Sequence, residues 1–210
     1  MSHDLVPLLE YTLLDPLATT RDVAKLADDA HALRVPTICV PPHLLHAVAE
    51  SELTVATVCG FPHGTHHPLI KATEARFAVQ NGATHIDLVP NLGAISSGDM
   101  NQLLSEIVAV REAITDHVTL KVILETAAFP EEKIVMAAQI AEKAGADYVK
   151  TSTGFHPAGG ATVEAVRLLA QTVRIPIKAS GGVRTAEMSR ELIAAGASRL
   201  GVSRPRDILA

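Results

Sequence analysis

The sequence predicts an α/β fold, a single (β/α)8 TIM barrel over residues 1–210. Short apolar runs typical of buried parallel strands alternate with amphipathic stretches from one end of the chain to the other. The length of 210 residues lies at the compact end of the range for this fold, and no low-complexity segment divides the chain. A doubly wound open sheet is the alternative. It needs a glycine-rich turn after the first strand, whereas this chain has Leu14-Asp15-Pro16-Leu17 there.

The predicted strands are short runs rich in apolar and β-branched residues, bounded by turn-forming residues. They span residues 8–14, 37–40, 54–60, 85–89, 120–125, 148–151, 176–179 and 199–202.

The predicted helices are the amphipathic segments between these strands. They span residues 20–33, 42–50, 68–81, 99–114, 131–144, 162–173 and 185–195. The residues expected to cap helix N-termini are Thr20, Ser97, Thr162 and Thr185, each followed two residues later by an acid. Three helices end in Gly-Ala before the next strand, and a left-handed glycine is a common helix stop.

Composition argues against several classes of function. The formal net charge is −5 without a basic block, and aromatic residues make up 3%, so no nucleic-acid or membrane-surface partner is expected. No apolar run reaches the length of a membrane span, and no charged-then-apolar leader opens the chain. Cys39 and Cys59 lack zinc-ligand spacing, so the simplest expectation is a reduced, cytoplasmic protein. A homodimer is compatible with this fold class, but no surface stripe identifies an interface.

Two lysines stand where folding alone would not place them. Lys150 closes the sixth predicted strand and Lys178 lies at the end of the seventh, and each is followed by small hydroxyl residues and glycine. A buried ammonium is costly unless it is paired or deprotonated. Two such lysines indicate an amine used as a reagent, which means covalent chemistry on a carbonyl group.

The alternation of side chains along each strand places further polar residues in the barrel interior with the two lysines. Successive side chains on a strand point to opposite faces, and in each of four strands the polar residues share one parity while the other is largely apolar. The barrel interior is therefore expected to receive Asp87, Lys121, Glu125, Lys150 and Lys178. Active sites of this fold lie at the C-terminal ends of the strands, where these residues cluster.

Six segments carry a resemblance to a known family. They are Tyr11-Thr12-Leu13-Leu14, Thr57-Val58-Cys59-Gly60-Phe61-Pro62-His63-Gly64, Ile86-Asp87-Leu88-Val89, Leu120-Lys121-Val122-Ile123-Leu124-Glu125-Thr126, Lys150-Thr151-Ser152-Thr153-Gly154-Phe155 and Lys178-Ala179-Ser180-Gly181-Gly182-Val183-Arg184-Thr185. Together they resemble the signatures of 2-deoxyribose-5-phosphate aldolase, a class I, Schiff-base-forming aldolase family. The resemblance runs from about residue 9 to about residue 203, and the two lysine motifs together are its most specific part.

The resemblance implies an enzyme and a set of roles. Lys150 would form the Schiff base, and Lys178 and Asp87 would take part in proton transfer. The implied reaction is reversible cleavage of 2-deoxy-D-ribose 5-phosphate to D-glyceraldehyde 3-phosphate and acetaldehyde, without a metal or cofactor. Physical chemistry supports these roles, because an amine attacks a carbonyl only when neutral. Desolvation and a nearby Lys178 ammonium would both lower the pKa of Lys150.

The phosphate is expected in the loops after the last three strands. Barrels commonly bind phosphate after strands seven and eight, where glycine lets the backbone approach the ligand. The predicted substrate-binding residues are Thr153, Gly154, Ser180, Gly181, Gly182, Val183, Gly201 and Ser203. The chain departs from the family pattern at Glu10, Tyr11 and Arg204, and Arg204 could either contact or crowd the phosphate.

Two other functions stay open. One is another Schiff-base or transaldolase-like enzyme acting on a different phosphorylated sugar, although the paired lysines argue against a transaldolase. The other is a non-catalytic barrel that binds a sugar phosphate, which would be expected to have lost Lys150, Lys178 or Asp87.

Several residues are assigned structural roles. Lys121 and Glu125 are expected to form a salt bridge that tunes the site. His63, His66 and His67 lack matched carboxylate spacing and are expected on a solvent-facing or rim loop rather than at a metal. Cys39 and Cys59 are expected to be packing thiols, facing one another across neighbouring strands. A reactive thiol near the mouth is the less favoured alternative.

Overall fold

A computed structural model describes residues 4–210 and confirms the (β/α)8 barrel. Its eight parallel strands pair in chain order, and the last strand pairs with the first, so the sheet is closed. The strands are β1 (Leu9–Thr12), β2 (Thr37–Val40), β3 (Thr54–Cys59), β4 (His85–Leu88), β5 (Thr119–Ile123), β6 (Tyr148–Lys150), β7 (Ile177–Ser180) and β8 (Arg199–Val202). The open-sheet alternative is therefore wrong.

The helices lie between the strands and cover the outside of the barrel. They are α1 (Thr20–Leu33), α2 (Pro68–Gln80), α3 (Leu92–Ser97), α4 (Met100–Ala113), α5 (Glu131–Lys143), α6 (Val163–Thr172), α7 (Ala186–Ala194) and α8 (Pro205–Leu209). The segment predicted as a helix over residues 42–50 is instead a 3-10 helix, Pro42–Val48. The prediction also missed α3 and α8, which are too short to show a helical period.

Side-chain caps fix several helix N-termini. Thr162 and Thr185 accept hydrogen bonds from the backbone N–H groups three residues later, at 3.1 Å, as predicted. The other two predicted caps are wrong by one or two residues. Thr19 forms a reciprocal capping box with Asp22, and Asp99 caps α4. Each of these four caps satisfies a backbone donor that the helix itself cannot.

The apolar parity of the strands faces outward and packs on the helices. Residues such as Ile38, Leu88, Val122 and Leu200 belong to one continuous core between sheet and helices. A much smaller apolar cluster of Cys39, Ala56 and Val58, with Leu14 and Phe61 beside it, has the opposite parity. The inward parity also carries the charged side chains of Glu10, Asp87, Lys121, Lys150 and Lys178, and these define the candidate site.

Candidate active site

Strand register brings the polar residues together in pairs. Asp87 on β4 is the register partner of Lys121 on β5, and Lys150 on β6 is the partner of Lys178 on β7. Residues paired in neighbouring strands point to the same face of the sheet. All four side chains are buried inside the barrel, as strand parity predicted.

Asp87 is the centre of this group. Its Oδ1 accepts a hydrogen bond from Lys121 Nζ at 3.0 Å. Its Oδ2 accepts from both Lys150 Nζ, at 2.7 Å, and Lys178 Nζ, at 2.8 Å. The two amines share one oxygen, so their nitrogens lie no farther apart than the sum of these two distances.

Glu10 completes the group and was missed as a site residue by the sequence argument. It is fully buried on β1, where its Oε2 accepts a hydrogen bond from Lys178, and its Oε1 lies 3.7 Å from Lys121 Nζ. The sequence did contain an indication, because Glu10 is an acidic residue at an inward-facing position of β1. We use the name lysine–carboxylate cluster for Glu10, Asp87, Lys121, Lys150 and Lys178.

The cluster separates the pKa values of the two key lysines. Burial acts to lower the pKa of Lys178, but the carboxylates of Asp87 and Glu10 outweigh it and raise that pKa. Burial is also the largest effect on Lys150, and the net result there is a lowered pKa. Asp87 opposes this decrease, and the Lys178 cation adds to it. Lys150 is thus the amine of the pair that more readily becomes neutral.

The two carboxylates stay ionised within the cluster. Burial acts to raise the pKa of Asp87, but Lys121, Lys150 and Lys178 together bring that pKa well below its usual range. The pKa of Glu10 is also lowered, because Lys121 and Lys178 outweigh its burial. Each carboxylate is therefore negatively charged and accepts hydrogen bonds from the lysine side chains.

His85 extends the cluster toward the N-terminal end of the barrel. It begins β4, and its Nδ1 lies 3.1 Å from Lys121 Nζ. Burial, and after it the Lys121 ammonium, lower the pKa of His85 from 6.5 to about 4. The ring is therefore neutral at physiological pH and accepts a hydrogen bond from Lys121. Sequence reasoning assigned no role to His85.

A cavity of about 480 Å³ opens above the cluster at the C-terminal ends of the strands. Lys150 is the member of the cluster that lines it. All the predicted substrate-binding residues line the same cavity, namely Thr153, Gly154, Ser180, Gly181, Gly182, Val183, Gly201 and Ser203. The lining is completed by Thr12 at the end of β1, residues 13–16 of the loop that follows it, Phe155, Arg184 and Val202. Arg204 is not part of the lining, and the arginine that lines the cavity is Arg184 instead.

Glycine is required at two kinds of position around this cavity. Gly181 and Gly182 have φ values of 89° and 78°, which side chains other than glycine rarely adopt. At Gly201 the reason is space. A Cβ there would lie 2.9 Å from the Cβ of Ser180 and 3.2 Å from the Cε of Lys178. The small residue on β8 thus leaves room for the Lys178 side chain.

The predicted salt bridge between Lys121 and Glu125 is wrong. Lys121 contacts Asp87 and Glu10, whereas Glu125 accepts hydrogen bonds from the backbone and side chain of Thr153. Glu125 lies just past the end of β5 with φ 53° and ψ 53°, a left-handed conformation. This backbone turn re-aims the carboxylate away from the direction that strand parity alone predicts.

The expectation that the two cysteines face one another is also wrong. Cys39 is the register partner of Ala56 and belongs to the inner apolar cluster, whereas Cys59 lies in the outer core and donates to the carbonyl oxygen of Lys71. Both thiols are buried, and burial raises the pKa of Cys39 to about 11. Neither is poised as a thiolate.

The three loop histidines are exposed, and His67 caps the N-terminus of α2. Within residues 4–210, no group of three or more His, Cys, Asp or Glu side chains has an arrangement that could hold a metal ion. In the same part of the chain, no helix combines the length and the apolar character that crossing a bilayer requires.

Comparisons with known proteins agree with this geometry. The family model described as DeoC/LacD family aldolase matches residues 9–210. A deoxyribose-phosphate aldolase of Nocardia farcinica is 54% identical over 203 residues, covering 96% of this chain and 91% of that protein. A deoxyribose-phosphate aldolase of Kocuria rhizophila is 50% identical over 208 residues, covering 98% of this chain and 95% of that protein.

Solved structures show the same architecture. The aldolase QR15 superimposes with a TM-score of 0.93 at 34% identity, covering 98% of this chain and 94% of that one. A structure described as the unique tetrameric structure of deoxyribose phosphate aldolase from Aeropyrum pernix has a TM-score of 0.88 at 28% identity, covering 98% of this chain and 89% of that one.

Proposed function

Because this chain belongs to the DeoC/LacD aldolase family, we infer that it reversibly cleaves 2-deoxy-D-ribose 5-phosphate to D-glyceraldehyde 3-phosphate and acetaldehyde. The observation that carries this inference is the pair of amines on one carboxylate oxygen. Lys150 and Lys178 both contact Asp87 Oδ2, and only Lys150 of the two lines the cavity. One amine with a lowered pKa thus faces the substrate space while a second with a raised pKa stands beside it.

We propose that Lys150 is the nucleophile. Its neutral amine attacks the C1 aldehyde of the open-chain sugar, and loss of water from the carbinolamine gives a protonated imine. Lys178 and Asp87 support this step, since an ammonium and a carboxylate within hydrogen-bond reach can donate and accept the protons that move.

Carbon–carbon bond cleavage follows from the positive charge on the imine nitrogen. The C2–C3 bond breaks as the 3-hydroxyl loses its proton and becomes the aldehyde of glyceraldehyde 3-phosphate. The electron pair of that bond flows into the imine, which becomes a neutral enamine of acetaldehyde on Lys150. Protonation of the enamine carbon and hydrolysis of the resulting imine release acetaldehyde and restore the amine. We propose that Asp87 and Lys178 carry these protons.

We propose that the phosphate group binds opposite Lys150, at the glycine-rich loop after β7 and at Ser203 after β8. This placement is supported by the cavity lining, which combines Gly181, Gly182 and Ser203 with Arg184. Glycines in left-handed conformations let backbone N–H groups approach an anion, and a guanidinium is suited to phosphate.

Borohydride trapping tests the proposed mechanism. Treatment with acetaldehyde and borohydride should leave a reduced two-carbon adduct, which peptide mass spectrometry locates on Lys150. Lys150→Ala should lose this adduct. Lys143→Ala, which removes an exposed lysine at the end of α5, should keep it.

The absence of an adduct on Lys150 would remove it as the nucleophile. The substrate assignment is tested separately by comparing 2-deoxyribose 5-phosphate with ribose 5-phosphate, and equal turnover would contradict the preference for the deoxy sugar.

The homodimer stays a prediction, which the mass of the protein in solution would check. The Aeropyrum pernix relative, described as tetrameric, supports self-association in this family.

A further inference from the structure

Glu125 is a buried carboxylate that the mechanism above does not use. Its side chain is fully inaccessible to solvent, and its backbone adopts a left-handed conformation that residues other than glycine avoid. None of the ion pairs formed among residues 4–210 includes Glu125. A buried charge and an unfavourable backbone both cost stability, so their joint presence beside the cavity points to a function.

The side-chain partner of Glu125 is a single residue, Thr153. The backbone N–H of Thr153 donates to Oε1 at 3.1 Å and to Oε2 at 3.3 Å. The Thr153 hydroxyl donates to Oε2 at 2.6 Å. A carboxylate can only accept hydrogen bonds, so this contact uses the one proton that the hydroxyl has.

The remaining hydrogen-bonding capacity of Thr153 is therefore that of an acceptor. A hydroxyl oxygen has two lone pairs, and the backbone N–H of Phe155 donates to one of them at 3.1 Å. The other lone pair is not used by the residues that the structure describes. Thr153 lines the cavity three residues after Lys150, so its hydroxyl oxygen stands next to the substrate space with one acceptor position left.

We propose that Glu125 is a positioning residue that holds the proton of the Thr153 hydroxyl. Thr153 then accepts a hydrogen bond from a hydroxyl group of the bound sugar phosphate. This inference rests on the proposed function, since it takes a phosphorylated sugar as the occupant of the cavity. Each sugar hydroxyl has one proton to donate, and an oriented acceptor that receives it fixes the sugar relative to Lys150. Acetaldehyde itself carries no hydroxyl and gains nothing from this contact.

Glu125→Gln tests the proposal because an amide NH2 group reverses the direction of the hydrogen bond with the Thr153 hydroxyl. The amide oxygen can accept from the Thr153 N–H, and the amide NH2 can donate to the Thr153 hydroxyl oxygen, so each group stays hydrogen-bonded. The amide NH2 and the backbone N–H of Phe155 then occupy both lone pairs of the hydroxyl, so Thr153 can no longer accept a hydrogen bond from the sugar. A purely structural role for Glu125 would leave the reaction of the folded variant unchanged.

The expected result is a selective defect. Glu125→Gln should lower kcat/KM for 2-deoxyribose 5-phosphate by about tenfold or more, as loss of an oriented hydrogen bond does. The rate of borohydride-trapped adduct formation on Lys150 with acetaldehyde should change less than about twofold, because the amine itself is untouched. Glu142→Gln is the matched control. Glu142 accepts from the backbone N–H groups of Arg174 and Ile175 at the opposite end of the barrel, and its variant should match the wild type.

Substitutions at Thr153 provide an independent measurement. Thr153→Ser keeps the hydroxyl and should stay within about threefold of the wild type, whereas Thr153→Val should lose about tenfold in kcat/KM for the sugar phosphate and keep acetaldehyde trapping. In the double variant, Glu125→Gln should add nothing to the loss caused by Thr153→Val.

Each outcome decides a separate question. Wild-type protein that neither cleaves the sugar phosphate nor traps acetaldehyde contradicts the proposed function itself. Wild-type activity with an equally active, folded Glu125→Gln variant overturns the positioning role alone. Should Glu125→Gln not fold, equal loss of sugar cleavage and acetaldehyde trapping in Thr153→Val would overturn it instead.

Discussion

Charge balance in the lysine–carboxylate cluster favours a neutral amine on Lys150, as the proposed mechanism requires. Asp87 and Glu10 supply two negative charges, and Lys121 and Lys178 contact both of them. A buried cluster with unequal charge is costly. Two ammonium groups already match the two carboxylates, so a third on Lys150 leaves an excess of positive charge. Neutral Lys150 therefore agrees with the electrostatics of the cluster as well as with burial.

Substituting Lys178 should separate its role from folding. In Lys178→Leu, the cation beside Lys150 is removed and Asp87 Oδ2 becomes available to Lys150 alone, so the pKa of Lys150 should rise. We expect kcat to fall by about two to four orders of magnitude at neutral pH, with the fold retained. The pH dependence of acetaldehyde trapping on Lys150 measures the pKa change. Near-normal turnover, with an unshifted pH profile, would exclude Lys178 from the mechanism.

At the scale of secondary-structure elements, a second buried ion pair connects the helices to the loops that follow β3 and β4. Lys71 of α2 pairs with Glu106 of α4, and both side chains are almost fully buried. Lys71 Nζ also donates to the carbonyl oxygen of Gly64 at 2.7 Å, and Glu106 Oε2 accepts from the backbone N–H of Asn91 at 2.9 Å. The pair thus holds two loops at the C-terminal end of the barrel, one of them shortly after Asp87.

Removing one partner of this ion pair should lower the free energy of unfolding more than removing both partners. Glu106→Leu leaves the Lys71 ammonium buried without its carboxylate, and we expect the free energy of unfolding to fall by about 3 kcal/mol or more. Lys71→Met combined with Glu106→Leu should recover part of that loss, since no unpaired charge remains. Denaturant unfolding measures both variants.

The surface pair between Arg206 and Asp29 is the control. Its nitrogen–oxygen distance is 2.7 Å, but the Arg206 side chain is 62% exposed. We expect Arg206→Ala to change the free energy of unfolding by less than about 1 kcal/mol. Equal effects at the buried and exposed pairs would contradict the special cost assigned to Lys71 and Glu106.

At the scale of the whole molecule, the barrel separates an apolar shell from a charged interior. The outer strand parity packs on the helices, and the inner parity carries a chain of contacts from His85 through Lys121 and Asp87 to Lys150 at the cavity. His85 belongs to this interior as a neutral ring. Its protonation would add a second cation beside Lys121, so the stability of the whole fold depends on pH through this residue.

The sign of this dependence follows from the lowered pKa of His85. Between its ordinary value of 6.5 and about 4, the unfolded chain binds a proton at His85 that the folded chain does not bind. Acidification from about pH 7.5 to about pH 5 should therefore destabilise the wild type by about 2 kcal/mol more than His85→Gln. The free energy of unfolding measured at both pH values tests this. His31→Gln, an exposed change on α1, should behave as the wild type does.

The barrel and its cavity-lining loops can be predicted along the chain, and so can the inward direction of Asp87, Lys121, Lys150 and Lys178. Alternation of strand and helix patterns, side-chain parity and glycine-rich strand ends are local properties, so they can be read along one chain. Lys150, Lys178 and Asp87 could be grouped on this basis, and so could the residues around Gly182.

Which charges meet depends on how the strands close into a barrel. Glu10 and Lys178 are far apart in the sequence, and it is the pairing of β8 with β1 that closes the barrel and brings them into contact. The left-handed turn at Glu125 directs its carboxylate to Thr153 rather than to Lys121. Electrostatic energy depends on distances of a few ångströms across a buried space, and strand parity gives the side of the sheet but not the partner.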